Sequence, residues 1–180
     1  MDDRMIDDVI IAAKDKLQAL ETGPLYGFSD WPIADVPRSG AIVYTVWNRE
    51  NRFIYVGMAG KFDSAKGKGP FERLNSHASG RRSGDQFCIY VCDRFVLLQV
   101  HNRISEIAEG KLSLDNLTRE FIRSELGFRF QTAADSQNAL ATERQIQRGA
   151  LPSGRPFFNP LPDLPLRKRR ATKARKGGAR

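Results

Sequence analysis

Two apolar runs flank a short polar stretch: Ala41-Ile42-Val43-Tyr44-Thr45-Val46-Trp47 and Phe53-Ile54-Tyr55-Val56-Gly57. β-Branched and aromatic residues dominate both, which predicts two strands. Asn48-Arg49-Glu50-Asn51 between them is turn-like. A four-residue loop pairs Trp47 with Arg52 and, in the same register, Tyr44 with Tyr55. Directly opposed residues share one sheet face, with Cβ atoms roughly 5 Å apart. Two phenols would then converge on one surface, although a one-residue change in loop length loses that pairing. Taken alone, such tyrosines read as half-buried packing residues with wet hydroxyls.

Around the hairpin the pattern turns helical. Met5, Ile6, Val9, Ile10, Ala13, Leu17 and Leu20 recur at helical spacing over residues 4–20, and Gly23-Pro24 ends the segment. A linker with Pro24, Pro32 and Pro37 leads into the hairpin, and a Gly/Lys-rich loop, 58–69, leaves it. Pro70 fits the first turn of a short helix and Gly80 its end. On that helix Phe71, Leu74 and Ala78 share one side, while Arg73 and His77 share another at i, i+4.

The apolar stretch Gln86–Val100 predicts a third strand, interrupted near Asp93-Arg94. Helices are predicted at 104–110 and 114–126, with Ser113 as N-cap and Gly127 as C-cap. Residues 128–132 suit a further strand. A last helix is capped by Asp135 or Ser136 and stops at Gly149. Its apolar face is Ala139, Leu140 and Ile146, and Glu143 projects from that inward side. A lone carboxylate there is costly unless paired or bound to a cation. A salt bridge, for instance to Arg73, and a metal ligand are the two readings. Five prolines then make an irregular segment around Phe157-Phe158-Asn159.

Charge changes the picture at one end. The chain has 180 residues and a net charge of +8. From Arg167 to Arg180 there are eight basic residues and no acidic one; removing them from 29 leaves 21 basic against 21 acidic. Such a tail is expected to be disordered and to attract phosphates without reading sequence. A solubility tail is the plainer reading, and a nucleic-acid partner the sharper one. Cys88 and Cys92 match no zinc spacing and read as small buried hydrophobes. No apolar run reaches the length of a membrane span, and the acidic start Met-Asp-Asp-Arg is unlike a signal peptide. A reducing cytoplasm, with nucleoid association, is the expected compartment for this bacterial-type soluble protein.

The order of these parts resembles the GIY-YIG nuclease superfamily over about residues 40–160. Its two namesake tripeptides correspond to Ile42-Val43-Tyr44 and Tyr55-Val56-Gly57. A helix with arginine then histidine follows (Arg73, His77), then a late helix with one glutamate (Glu143), then an asparagine (Asn159). Three features depart from the family: Ile42 replaces a glycine, the 58–69 loop is longer than in the smallest members, and the Arg73–His77 spacing is closer to the restriction-enzyme branch. The resemblance implies an α+β fold, a central antiparallel three-stranded sheet flanked by helices. It divides the chain into an N-terminal helix and linker (1–39), a nuclease-like domain (40–162) and a basic tail (163–180).

It further implies hydrolysis of a DNA phosphodiester with one Mg²⁺ or Mn²⁺ ion. Glu143 would be the metal ligand, one carboxylate with waters being a normal way to hold Mg²⁺. Arg73 would supply a planar cation for transition-state charge. Tyr44 would be the general base, with His77 accepting its proton, because an unassisted phenol has a pKa of about 10. Tyr55 would orient water or phosphate, and Asn159 would hold Glu143 or nearby backbone. Lys61, Lys66 and Lys68, and the tail's Arg167, Lys168, Arg169 and Arg170, would meet the DNA backbone. Helices around 103–126 lie outside the catalytic elements and suit target recognition or homodimer contacts. The competing reading is a catalytically inactive nucleic-acid-binding module. Another is an RNA- or ribosome-associated protein whose tyrosines only pack.

Overall fold

The computed structural model describes residue 15 and residues 17–60 and 69–162. Most of the expected first helix, Lys61, Lys66 and Lys68, and the basic tail with Arg167, Lys168, Arg169 and Arg170 lie outside the described residues. Within them a helical segment, α1, runs through 17–22 and stops where expected, with Gly23 N–H bonding the Ala19 carbonyl.

The hairpin forms from β2 (Ala41–Asn48) and β3 (Phe53–Ala59), but in a different register. Asn48 closes a longer loop: its Oδ1 accepts from Glu50 N and Arg52 N, and Asn51 takes φ 57°. Asparagine tolerates that left-handed conformation better than most residues. A bulge between Val46 and Trp47 shifts the register once more. Tyr44 therefore sits opposite Gly57, and Tyr55 opposite Val46, instead of opposite one another. The displacement is two residues, so the period-two alternation leaves both phenols on one face. Their ring centroids are 6.3 Å apart.

The sheet has four strands rather than three: β1 (Tyr26–Gly27) and β4 (Leu126–Ala133) join the hairpin in the order β1-β4-β2-β3, all antiparallel. β4 pairs with β2 along its whole length, and the two-residue β1 covers the outer edge of β4. The strand expected at 128–132 is thus real and longer. Gly127 is not a C-cap: α6 (Leu114–Glu125) passes directly into β4, where Gly127 pairs with Gly27. Ser113 does cap α6, accepting from Asn116 N. Ahead of it, α5 (Ile104–Ala108) occupies the earlier of the two helical stretches expected there.

The third strand expected at Gln86–Val100 is a helix. It runs as α3 (Gln86–Val91), a π-helical stretch Cys92–Val96 at the point where a break was expected, and α4 (Leu97–Val100). A continuous apolar run does not by periodicity separate a buried strand from a buried helix. What decides here is Asp85, whose carboxylate accepts from Phe87 N and Cys88 N as an N-cap. Phe87, Cys88, Val91, Cys92 and Val96 are buried in the turns that follow, and both cysteines are free.

Helices cover both faces of the sheet. One core joins Ile42, Tyr44, Val46 and Phe128 to Leu74, Ala78, Phe87, Val91 and Ile122 from α2 (Pro70–Ala78), α3 and α6. The other joins Ala41, Val43, Trp47, Val56 and Met58 to Leu20 and to Ala139 and Ile146 of α7 (Ser136–Gln147), which Asp135 caps. Trp31 and Trp47 are both buried in the core. No helix among the described residues is long and apolar enough to cross a membrane.

Candidate active site

Tyr44 rises from the middle of β2 into the first core, where it is 1% exposed. Its room is made by the residue opposite. A Cβ on Gly57 would lie 2.4 Å from the Tyr44 hydroxyl and 2.9 Å from the Tyr55 ring. The glycine of the second tripeptide is therefore a steric requirement of the two tyrosines.

α2 carries Arg73 and His77 over this face. Pro70 opens it, as the sequence suggests, and Gly80, at φ +68°, follows it. His77 is buried and joins two partners. Its Nε2 lies 2.7 Å from the Tyr44 hydroxyl, and its Nδ1 lies 2.8 Å from Oδ2 of Asp85. Asp85 also accepts from Phe87 N and Cys88 N, and from the Ser76 hydroxyl. An ionised carboxylate only accepts. The network thus assigns the His77 proton to Nδ1, leaves Nε2 as the acceptor, and has Tyr44 O–H donating to it.

Electrostatics agree with that assignment. Burial works hardest against Asp85 ionisation, yet the hydrogen bonds from His77, Cys88 N and Ser76 outweigh it and hold the carboxyl below its ordinary value. Burial pushes the Tyr44 phenol well above its ordinary value, helped by Tyr55, Asp85 and Glu143 and opposed by Arg73. Tyr55 is raised by burial and then by Glu143, with Arg73 again opposing. A glutamate from α7 and an arginine from α2 therefore act with opposite sign on the same pair of phenols.

Asn159 reaches the site through the backbone. Its Oδ1 accepts from Val56 N at 3.3 Å and its Nδ2 donates to Val56 O at 2.7 Å. Beside it, Phe157 N and Phe158 N bond the Phe53 and Ile54 carbonyls. The proline-flanked segment thus pairs with the free edge of β3 next to Tyr55. Phe87 closes the site from above, 4.6 Å from the His77 ring and 5.1 Å from the Tyr55 ring.

Five of the six expected catalytic residues thus interact around the Tyr44–Tyr55 pair, and Asn159 holds the strand that carries Tyr55. Asp85 was missed. Its signal was present: an aspartate directly before an apolar run is an N-cap once that run is read as a helix. Among the described residues no three His, Cys, Asp or Glu side chains gather in a metal-holding group. The donor set therefore does not fit a caged ion. A single carboxylate beside two phenols fits a hard cation that keeps most of its waters, as Mg²⁺ does. His101 is exposed and, among the described residues, bonds the Leu98 carbonyl three residues before it.

Compared with family models, with curated proteins and with solved structures, the chain finds no match in any of the three. The resemblance to the GIY-YIG superfamily rests on the residues quoted for it. The arrangement itself is a carboxylate–imidazole–hydroxyl chain, the logic by which hydrolases raise the basicity of a hydroxyl.

Proposed function

We propose that this protein is a metal-dependent DNA endonuclease. The observation that carries the reading is the buried Asp85–His77–Tyr44 chain, its outer hydroxyl beside Tyr55 and under the fields of Arg73 and Glu143. Burial works against a free phenolate at Tyr44 by raising its pKa. Tyr44 takes a proton from the attacking water only as its own proton passes to His77 Nε2. Asp85 stabilises the imidazolium that forms.

The water oxygen bonds to phosphorus as the bond to the 3′ oxygen breaks. Arg73 faces the charge gained by the phosphoryl oxygens, a contribution on the order of 3 kcal/mol for one preorganised donor. Tyr55 orients water or phosphate, and Asn159 keeps β3 and Tyr55 in place. Glu143 would hold Mg²⁺ or Mn²⁺, which supplies Lewis-acid polarisation of the phosphate and of the leaving oxygen.

The test is cleavage of supercoiled and single-stranded DNA with Mg²⁺ and with EDTA, beside Glu143→Ala and Asp85→Asn. Metal-dependent cleavage lost in Glu143→Ala and reduced in Asp85→Asn supports the reading. The alternative, a module that binds nucleic acid without cutting it, draws on the near-complete burial of Tyr44. It predicts binding without cleavage, unaltered by Glu143→Ala.

A further inference from the structure

Behind the relay, on the outer side of α2, lies an open polar cleft of about 660 Å³. α2 and the loop after it supply Ser76, Ser79, Arg81 and Ser83, and α6 supplies Arg119 and Arg123. Glu72 is the one carboxylate on its wall. Among the described residues no ion pair engages the Arg119 or Arg123 guanidinium, Arg119 donating to Asn116 Oδ1 at 3.0 Å, whereas the neighbouring Arg82 is tied to Asp115 at 2.8 Å and Arg81 also acts on that carboxylate. The cleft is built by a close backbone approach. A Cβ on Gly80 would fall 2.3 Å from Arg119 N, so glycine alone lets the end of α2 meet α6 there. Arg123 Nε reaches back to the Ala78 carbonyl, which fixes the side chain on this wall.

We infer that this cleft is a second phosphate-binding subsite, taking a backbone phosphodiester of a nucleic acid away from the one to be cut. The inference rests on the nucleic-acid reading above. Arginine guanidinium groups and serine hydroxyls are among the side chains that contact phosphate oxygens. Net charge on the wall is positive, so the cleft attracts anionic groups. Ser76 ties it to the chemistry: this residue lines the cleft while its hydroxyl bonds Asp85, the carboxylate that orients His77. A backbone seated here runs along α2, which also carries Arg73.

The experiment is binding of the full chain to a labelled duplex by fluorescence anisotropy, repeated over about 50 to 200 mM salt. Wild type is compared with Arg119→Ala/Arg123→Ala and with Arg94→Ala, an exposed arginine of the Cys92–Val96 stretch. Two lost phosphate contacts predict a slope of log affinity against log salt smaller by about 2 and affinity lower by roughly tenfold or more. Arg94→Ala should match wild type. Wild-type affinity and slope in the double variant would overturn the subsite. Absence of binding by wild type would overturn both the subsite and the nucleic-acid reading. Cleavage unaffected by Tyr44→Phe, beside weakened binding in the double variant, would sink the catalytic assignment and leave the subsite standing. Arg119→Gln/Arg123→Gln, which keeps the apolar stems, gives the same readout if the alanine pair does not fold.

Discussion

The Tyr44 hydroxyl fills the space that a side chain on Gly57 would occupy. The two residues are paired across β2 and β3, and a Cβ at 57 would meet the phenol at 2.4 Å. Gly57→Ala should therefore push Tyr44 off His77 Nε2. Overpacking of this kind costs about 1–3 kcal/mol. A lower melting temperature and at least tenfold slower cleavage are expected, and a crystal structure would show the 2.7 Å bond broken.

The two raised phenols give an alkaline prediction. A group whose folded pKa lies above its unfolded value contributes stability below the unfolded pKa, near 10 for tyrosine, and loses it as pH rises through that range. Stability should fall above about pH 10. In a spectrophotometric titration, Tyr44 and Tyr55 should form tyrosinate only beyond that pH or on unfolding. Tyr44→Phe should flatten the alkaline loss.

Asp85 runs the opposite way. Its folded pKa is depressed, so its stabilisation is complete above the ordinary carboxylate value of 3.8 and is lost as pH falls through the lower folded value. Asp85→Asn should cost about 2 kcal/mol near neutral pH, through the helix cap and the bond to His77. The gap to wild type should narrow in acid. Cleavage should drop further than stability explains, because an amide no longer stabilises the imidazolium.

Much of this candidate site is legible in the sequence. Tyr44, Tyr55, Arg73, His77 and Glu143 were named from their order and from the elements carrying them, and the alternation of the hairpin put both phenols on one face. Their exact pairing was not legible, because Asn48 closes a five-residue loop and a bulge adds another shift. Asp85 was hidden by the misread strand at Gln86–Val100: an apolar run buried on most sides looks alike in either conformation. The fourth strand was hidden by its length, since two residues inside a proline-rich linker carry no alternation.

Asn159 replaces a strand partner for β3 with its side-chain amide. Asn159→Ala should remove two bonds to Val56 at a cost of about 1–3 kcal/mol. Loss of cleavage with retained DNA binding is the expected pattern. Faster hydrogen exchange at Val56 N–H would report the local cause.

On the nucleic-acid reading, the basic tail would add affinity without chemistry. Deleting 163–180 should reduce the salt slope of binding by up to about 7, if all eight basic side chains contact phosphate. At low salt and saturating DNA the cleavage rate should be close to that of the full chain.

The most direct measurement is single-turnover cleavage of DNA with Mg²⁺ by wild type, Tyr44→Phe and Glu143→Ala, each at saturating protein. Metal-dependent strand cleavage by wild type, at least a hundredfold slower in both variants while binding is retained, is the expected result. No cleavage of supercoiled, duplex or single-stranded DNA by wild type, or equal rates in all three proteins, would contradict the assignment of Tyr44 and Glu143 to phosphodiester hydrolysis.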